Sequence, residues 1–217
     1  MLDVFVEAAT LGLVDGNPVE ITRTAKATVT RDRLSIDQFF AIREYAAPWL
    51  VNAMNVALIT GQRREDVAKA QFKDLREGFL WIEQGKMGAK VRIESSIRLN
   101  ALGMSIDDLV RVCRSDGVVS KYLVHHSRSK FGNTAGAKVS ISMISNSFAA
   151  ARELSGIAPA AGKTPPTFHE IRSLAERLYR EQYGADFAQK LLGHKTQKMT
   201  DIYDDLRGSA WVDVRAV

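Results

Sequence analysis

A single cysteine, Cys113, stands in the 217 residues, so no disulfide can close within the chain, as expected of a protein from a reducing compartment. It sits in "DDLVRVC" on an apolar helical spacing and reads as a buried thiol rather than a nucleophile. No apolar run approaches the roughly 18 residues that cross a bilayer. The opening "MLDVFVEAAT" has an acid at Asp3 and no basic residue, so no secretory leader is expected. The four histidines, at 125, 126, 169 and 194, include no i,i+4 pair, and Cys113 has no companion; neither metal nor cofactor is expected. A phosphate-cradling GxxxxGK[ST] loop, an internal repeat and a low-complexity tract are likewise missing. Nucleotide-driven motors and repeat scaffolds are therefore excluded.

What is present is a modest basic excess, 30 lysines and arginines against 25 acids, and its distribution matters more than its size. "TRTAKATVTRDR" (22–33) carries Arg23, Lys26, Arg31 and Arg33 against Asp32 alone. "KYLVHHSRSKFGNTAGAK" (121–138) carries Lys121, Arg128, Lys130 and Lys138 and no acid. Such patches suit a polyanion, while solvated surface loops are the plainer alternative.

Residues 2–14 have helical periodicity and stop at "DGNP"; the basic, threonine-rich 22–33 reads as a linker. Ser35 opens a helix through the capping box "SIDQ". Pro48 starts a second helix, "PWLVNAMNVALIT", apolar on most sides and ended by Gly61. The period then switches: "GFLWIEQ" (78–84) and "KVRIE" (90–94) are expected to form a hairpin with Lys86 at its tip. Helical patterns return at 105–114, 140–155, 167–183 and 185–192, the third with Thr167 and Glu170 in a capping-box relation. "YLV" before His125 and His126 is strand-like, and that pair reads as structural or groove-lining. The expected class is α+β: a mainly helical domain with a small antiparallel sheet.

With Thr167 as cap, His169 and Arg172 fall on one face of the first turn and a half. A helix N-terminus joined by an imidazole and a guanidinium suits a phosphate. The competing use is an Arg172–Glu176 pair with His169 as a mere cap. In chain order the notable residues are Arg63 in "TGQRRED", Lys86 in "EQGKMGAK", His169 and Arg172 in "TFHEIRS", His194 in "LLGHKT" and Tyr203 in "MTDIYDD".

Taken as an ordered set, these motifs resemble the tyrosine recombinase family, especially phage integrases of the lambda type. The resemblance runs from about residue 30 to the end. Ile171 stands where leucine is common and Met87 where threonine is frequent; Lys90, in the same hairpin, is the alternative to Lys86. The resemblance implies three parts: residues 1–21 as the end of a core-binding domain, 22–33 as the interdomain linker, and 34–217 as the catalytic domain. It further implies that the chain is a fragment of a longer integrase.

The implied reaction is site-specific DNA strand exchange by metal- and ATP-independent transesterification. Tyr203 would be the nucleophile, His169 its base, Lys86 the acid for the leaving 5′-oxygen, and Arg63, Arg172 and His194 the donors to the phosphate. A phenol of pKa about 10 is only about one part in a thousand ionised at neutral pH, so it needs such neighbours. Backbone contacts are expected from Arg31, Arg33, Lys90, Arg128, Lys130 and Lys138. The implied partners are double-stranded DNA at core-type attachment sites, a homotetramer on DNA, and accessory DNA-bending or directionality proteins, all in the bacterial cytoplasm with no membrane. Rival readings are a type IB topoisomerase, a non-catalytic DNA-binding regulator of the same fold, and a hydrolytic nuclease. The tail "WVDV" reads as a short strand anchored by Trp211; by the same resemblance it would pack on its own or a neighbouring protomer's sheet.

Overall fold

The computed structural model describes residues 7, 10–14, 31–85, 88–129, 132–193 and 211–215. The chain divides into two units, Met1–Thr30 and Arg31–Val217. In the first, Glu7 and Thr10 are helical and the Leu11 N–H donates to the Glu7 carbonyl at 2.9 Å. Gly12 then takes φ 69°, so this helix ends at Thr10 and not at Val14; a residue without Cβ enters that region freely.

In the second unit, α1 (Ile36–Glu44) starts with the expected capping box: the Ser35 side chain accepts from the Gln38 N–H and the Gln38 side chain from the Ser35 N–H. Helix α2 (Pro48–Thr60) has proline in its first turn and Gly61 at φ 64° as its left-handed cap. Nine of its residues are buried, from Leu50 to Thr60, which is why its sequence is apolar nearly all round. It is the axis of the core. A short helix the sequence did not announce, α3 (Arg64–Lys69), follows at once.

Next come a 3₁₀ turn (Phe72–Asp74) and strands β1 (Leu75–Arg76), β2 (Phe79–Glu83), β3 (Lys90–Glu94), β4 (Arg98–Leu99) and β5 (Met104–Ser105). Helices α4 (Ile106–Arg114), α5 (Ile141–Leu154), α6 (Glu170–Tyr183) and α7 (Ala185–Leu192) precede a last strand, β6 (Val212–Val214). Helices α4, α5 and α6 all pack on α2. Phe39, Leu58, Phe148 and Tyr179 are almost wholly buried there, each stabilising the fold by about 1.5–3 kcal/mol.

The main sheet runs β1-β2-β3-β6. The β2–β3 hairpin is antiparallel in the register Leu80↔Ile93 and Ile82↔Val91, with those four residues inside. This is the expected α+β architecture with one addition. Strand β6 pairs parallel with β3, Val91 opposite Val212, and is held by the Arg92–Asp213 ion pair and the edge-on contact of Trp81 with Trp211.

Two local expectations are corrected. Thr167 does not cap α6. The helix starts at Glu170 with His169 at the cap position and no side-chain cap bond; instead the N–H groups of Glu170, Ile171 and Arg172 donate to the carbonyls of Thr167, Phe168 and His169. A backbone turn thus satisfies the amides that a hydroxyl would otherwise reach. "YLV" is no strand either, contributing only the isolated bridge Gln71↔Tyr122. His125 is structural: its Nδ1 lies 2.8 Å from the Tyr122 carbonyl and its Nε2 3.0 Å from Asp116 Oδ2. Cys113 is buried, and burial with the nearby Asp116 carboxylate pushes its thiol up to about 12. Among the described residues, no helix is long and apolar enough to cross a membrane.

Candidate active site

Four chain segments meet beside the end of α2. They are the turn Gly61–Arg63, the tip of β2 at Gln84, the first turn of α6, and the C-terminus of α7. Arg172 ties three of them together. Its guanidinium donates to the Gly61 carbonyl and to the Leu192 carbonyl, each at 2.7 Å. Glu176, the partner expected on the competing reading, pairs instead with Arg180. Only 6 % of Arg172 is exposed. Burial, then repulsion from Arg63, lowers its pKa to about 10, with Asp66 and Glu176 opposing. At neutral pH it stays a cation.

Arg63 stands at the cap position of α3 and donates to Gln84 Oε1 at 2.8 Å. His169 lines a cavity of about 470 Å³ together with Arg31, Arg63, Arg64 and Arg152, with Glu65 as the one acid among the described residues that line it. Partial burial lowers the His169 pKa, Glu170 raises it, and Arg172, Arg31 and Arg63 lower it. The imidazole is therefore biased toward its neutral, proton-accepting form. Arg31 is held there by its chain neighbours: it bridges Thr164, the Asp32 N–H donates to the Thr164 carbonyl, and Asp32 Oδ2 accepts from the Ala160 N–H.

Of the six catalytic candidates, Arg63, His169 and Arg172 come together. Lys86, His194 and Tyr203 lie outside the described residues, as does Lys130. Arg33, Arg128 and Lys138 are exposed at the surface, whereas Lys90 lies on β3 with its ammonium 6.0 Å from the centre of the Trp211 ring. The other four tyrosines do not line the cavity. Tyr179 is buried, its hydroxyl donating to the Ile59 carbonyl at 2.7 Å and its pKa driven up by burial. The Tyr183 hydroxyl donates to the Arg98 carbonyl at 3.1 Å.

Sequence reasoning missed three supports. Gln62 donates to the Thr60 and Leu191 carbonyls at 2.9 and 3.0 Å. Gln84 joins the same network. Asp66 Oδ1 accepts the Gly85 N–H at 3.0 Å and pairs with Lys69 at 3.0 Å, which pins the base of the hairpin. The available signal was a polar run, "GQRRED", emerging from an apolar helix.

Gly193 is constrained twice: φ is 65°, and an added Cβ would lie 2.8 Å from Gln84 Nε2. Gly193→Ala is therefore expected to lower the melting temperature by several degrees, on the scale of about 2–4 °C per kcal/mol for a chain of this size. An unchanged melting curve would contradict that packing.

The phage integrase family matches residues 32–209, and the chain belongs to it. It is 44% identical over 219 residues to the prophage integrase IntE of Escherichia coli, covering 99% of this chain and 57% of that protein. The chain thus spans little more than half the length of such relatives. Among solved structures it resembles a lambda integrase dimer bound to a COC′ core site, with TM-score 0.79 and 35% identity over 91% of this chain and 70% of that one. It also resembles a lambda integrase tetramer bound to a Holliday junction, with TM-score 0.78 and 35% identity over 90% of this chain and 56% of that one.

Proposed function

We propose that the chain carries the strand-cleaving and rejoining centre of a site-specific DNA recombinase, a phage or prophage integrase. The observation that carries this reading is a basic cavity lined by Arg63 and a neutral-biased His169, with the buried Arg172 close enough to act electrostatically on both, in a chain of the phage integrase family. Two permanent cations that cannot be deprotonated at neutral pH suit a phosphodiester whose non-bridging oxygens gain charge in the transition state.

In the reaction, the Tyr203 hydroxyl passes its proton to the His169 imidazole and its oxygen attacks phosphorus. An O–P bond forms, the bond from phosphorus to the 5′-oxygen breaks, and the Lys86 ammonium protonates the departing oxygen. The ester energy stays in a 3′-phosphotyrosine, and attack by a second 5′-hydroxyl reverses the steps and reseals the strand. Arg63, Arg172 and His194 hold the phosphate throughout.

Residues 1–21, 22–33 and 34–217 are read as the end of a core-binding domain, a linker and the catalytic domain. Lambda integrase binds its core site as a dimer and a Holliday junction as a tetramer. By analogy the proposed partners here are core-type DNA and three further copies of the protein, in the bacterial cytoplasm.

The test is a nicked DNA site incubated with protein and chelator, then resolved on a denaturing gel. A covalent adduct is expected. Free ends without adduct would favour a nuclease, and no cleavage a regulator; an adduct with relaxation of supercoils but no exchange between paired sites would favour a topoisomerase.

The pH profile follows from His169. A base with a lowered pKa stays neutral as pH falls until that lowered value is crossed, so the acid limb of kcat/KM is expected below about pH 6.5, the ordinary histidine value. Arg31→Ala removes a charge that lowers the His169 pKa and should move the limb upward; Glu170→Gln removes one that raises it and should move the limb downward. Cleavage rates between about pH 5 and 8 check both signs.

A further inference from the structure

Gln84 is 1% exposed at the end of β2, in a position where a strand residue facing the core is ordinarily apolar. Its amide is fully engaged. Oε1 accepts from Arg63 Nη1 at 2.8 Å, and Nε2 donates to Gln62 Oε1 at 2.8 Å and to the Leu192 carbonyl at 3.0 Å. The orientation of the amide is set by its partners, since a guanidinium only donates and a backbone carbonyl only accepts. Gln62 cannot turn to compensate, because its own Nε2 already serves the Thr60 and Leu191 carbonyls.

The Leu192 carbonyl accepts from Arg172 Nη2 as well as from Gln84. A continuous relay therefore runs from one arginine to the other: Arg172 guanidinium, Leu192 carbonyl, Gln84 amide, Arg63 guanidinium. The backbone of Gln84 also closes the hairpin base, its N–H donating to the Ala89 carbonyl at 2.9 Å and its carbonyl accepting from the Gly88 N–H at 3.0 Å. Gly193 presses on the same amide, with space for no Cβ.

We infer that Gln84 is a positioning residue that holds the Arg63 guanidinium in register with the C-terminal turn of α7, so that both arginines meet one phosphate as a unit. This rests on reading the cavity as a strand-transfer centre. The physical need is plain. Arg63 has a long side chain with many rotamers, and a misplacement of about 1 Å in a catalytic group costs about 10²-fold in rate. An apolar residue of the same size would fill the space but remove the oxygen that accepts from Arg63 Nη1. A glutamate would keep the acceptor for Arg63 yet set a carboxylate oxygen against the Leu192 carbonyl and Gln62 Oε1, both acceptors.

The experiment compares the wild-type chain with Gln84→Leu, Gln84→Glu, Arg63→Ala and the double variant Arg63→Ala/Gln84→Leu. Single-turnover cleavage of a nicked duplex is measured at saturating DNA, alongside the DNA Kd and the Arg63 Nη–H resonances, assigned by their loss in Arg63→Ala. Gln84→Leu is expected to cut the cleavage rate by about 10–100-fold with Kd changed less than about threefold. Gln84→Glu should fall between it and wild type. In the double variant the second substitution should add less than about twofold to the loss from Arg63→Ala, because residues acting as one unit are not additive. The Arg63 resonances should be dispersed and slowly exchanging in wild type and should shift and exchange faster in Gln84→Leu.

Wild-type rates in Gln84→Leu, or losses that multiply in the double variant, would overturn the inference. If wild type forms no adduct, the reading of the reaction fails, and the resonances alone decide Gln84: a shift with faster exchange in Gln84→Leu upholds the positioning role and unmoved signals remove it. If Gln84→Leu does not fold, Gln84→Glu decides by the same two measurements, with a wild-type rate and unmoved resonances counting against the role.

Discussion

Arg172→Ala is expected to slow strand cleavage by about 10²–10³-fold while leaving most of the affinity for DNA. The argument has two parts. On the proposed reading one fixed cation is lost where charge builds on the scissile phosphate, and donors of that kind carry effects of this size. Affinity, by contrast, is spread over many phosphate contacts, and Arg172 is only one cation among them. Its burial makes the loss worse than the removal of a surface charge. The guanidinium spans the Gly61 and Leu192 carbonyls, so alanine leaves the Gly61 carbonyl without this donor, at about 1–3 kcal/mol, and the Leu192 carbonyl with Gln84 in its place; Gln62 remains as a tie from the turn after α2 to α7. Arg172→Lys restores the charge but not the planar fork that meets the Gly61 and Leu192 carbonyls through separate nitrogens, so it should recover little of the rate. Single-turnover cleavage and filter-binding Kd on the same substrate check both statements. Equal losses in rate and affinity would place Arg172 in DNA binding rather than in the chemistry.

Tyr203→Phe should remove the covalent adduct altogether with DNA binding unchanged. On the proposed reading, phenylalanine keeps the ring and deletes the oxygen that attacks phosphorus. None of the other four tyrosines lines the cavity. Tyr179 is sealed in the core with its ionisation pushed up, and the Tyr183 hydroxyl is engaged by the Arg98 carbonyl. The contrast with Arg172→Ala is the informative one: a lost donor slows the reaction, while a lost nucleophile stops it. Residual adduct in Tyr203→Phe would mean that another side chain attacks. Both effects are read from one denaturing gel.

Much of the fold was legible because its signals are local. Ser35 and Gln38 lie one turn apart and cap α1 reciprocally, and Pro48 and Gly61 bracket α2. The two-residue period of "FLWIE" and "KVRIE" set the hairpin faces. What escaped was decided by distant partners or by the backbone alone. The parallel register of β6 on β3 depends on a pairing 121 residues apart, Arg92 with Asp213. Thr167 had the right neighbours for a cap, but consecutive backbone turns took its place. In the site, Arg63, His169 and Arg172 stood out as residue types in a recognisable order. Gln62 and Gln84 did not, because a buried amide has no pattern of its own; its meaning appears only when the carbonyls of α7 come within reach.

The most direct measurement is of the adduct itself. Wild-type protein is trapped on a nicked duplex with chelator present, digested with trypsin and nuclease, and sequenced by mass spectrometry. The account expects the nucleotide remnant, joined through a 3′-phosphate, on Tyr203 within the peptide that runs from Met199 to Arg207. A remnant on any other residue, or cleaved DNA with no remnant at all, would contradict it.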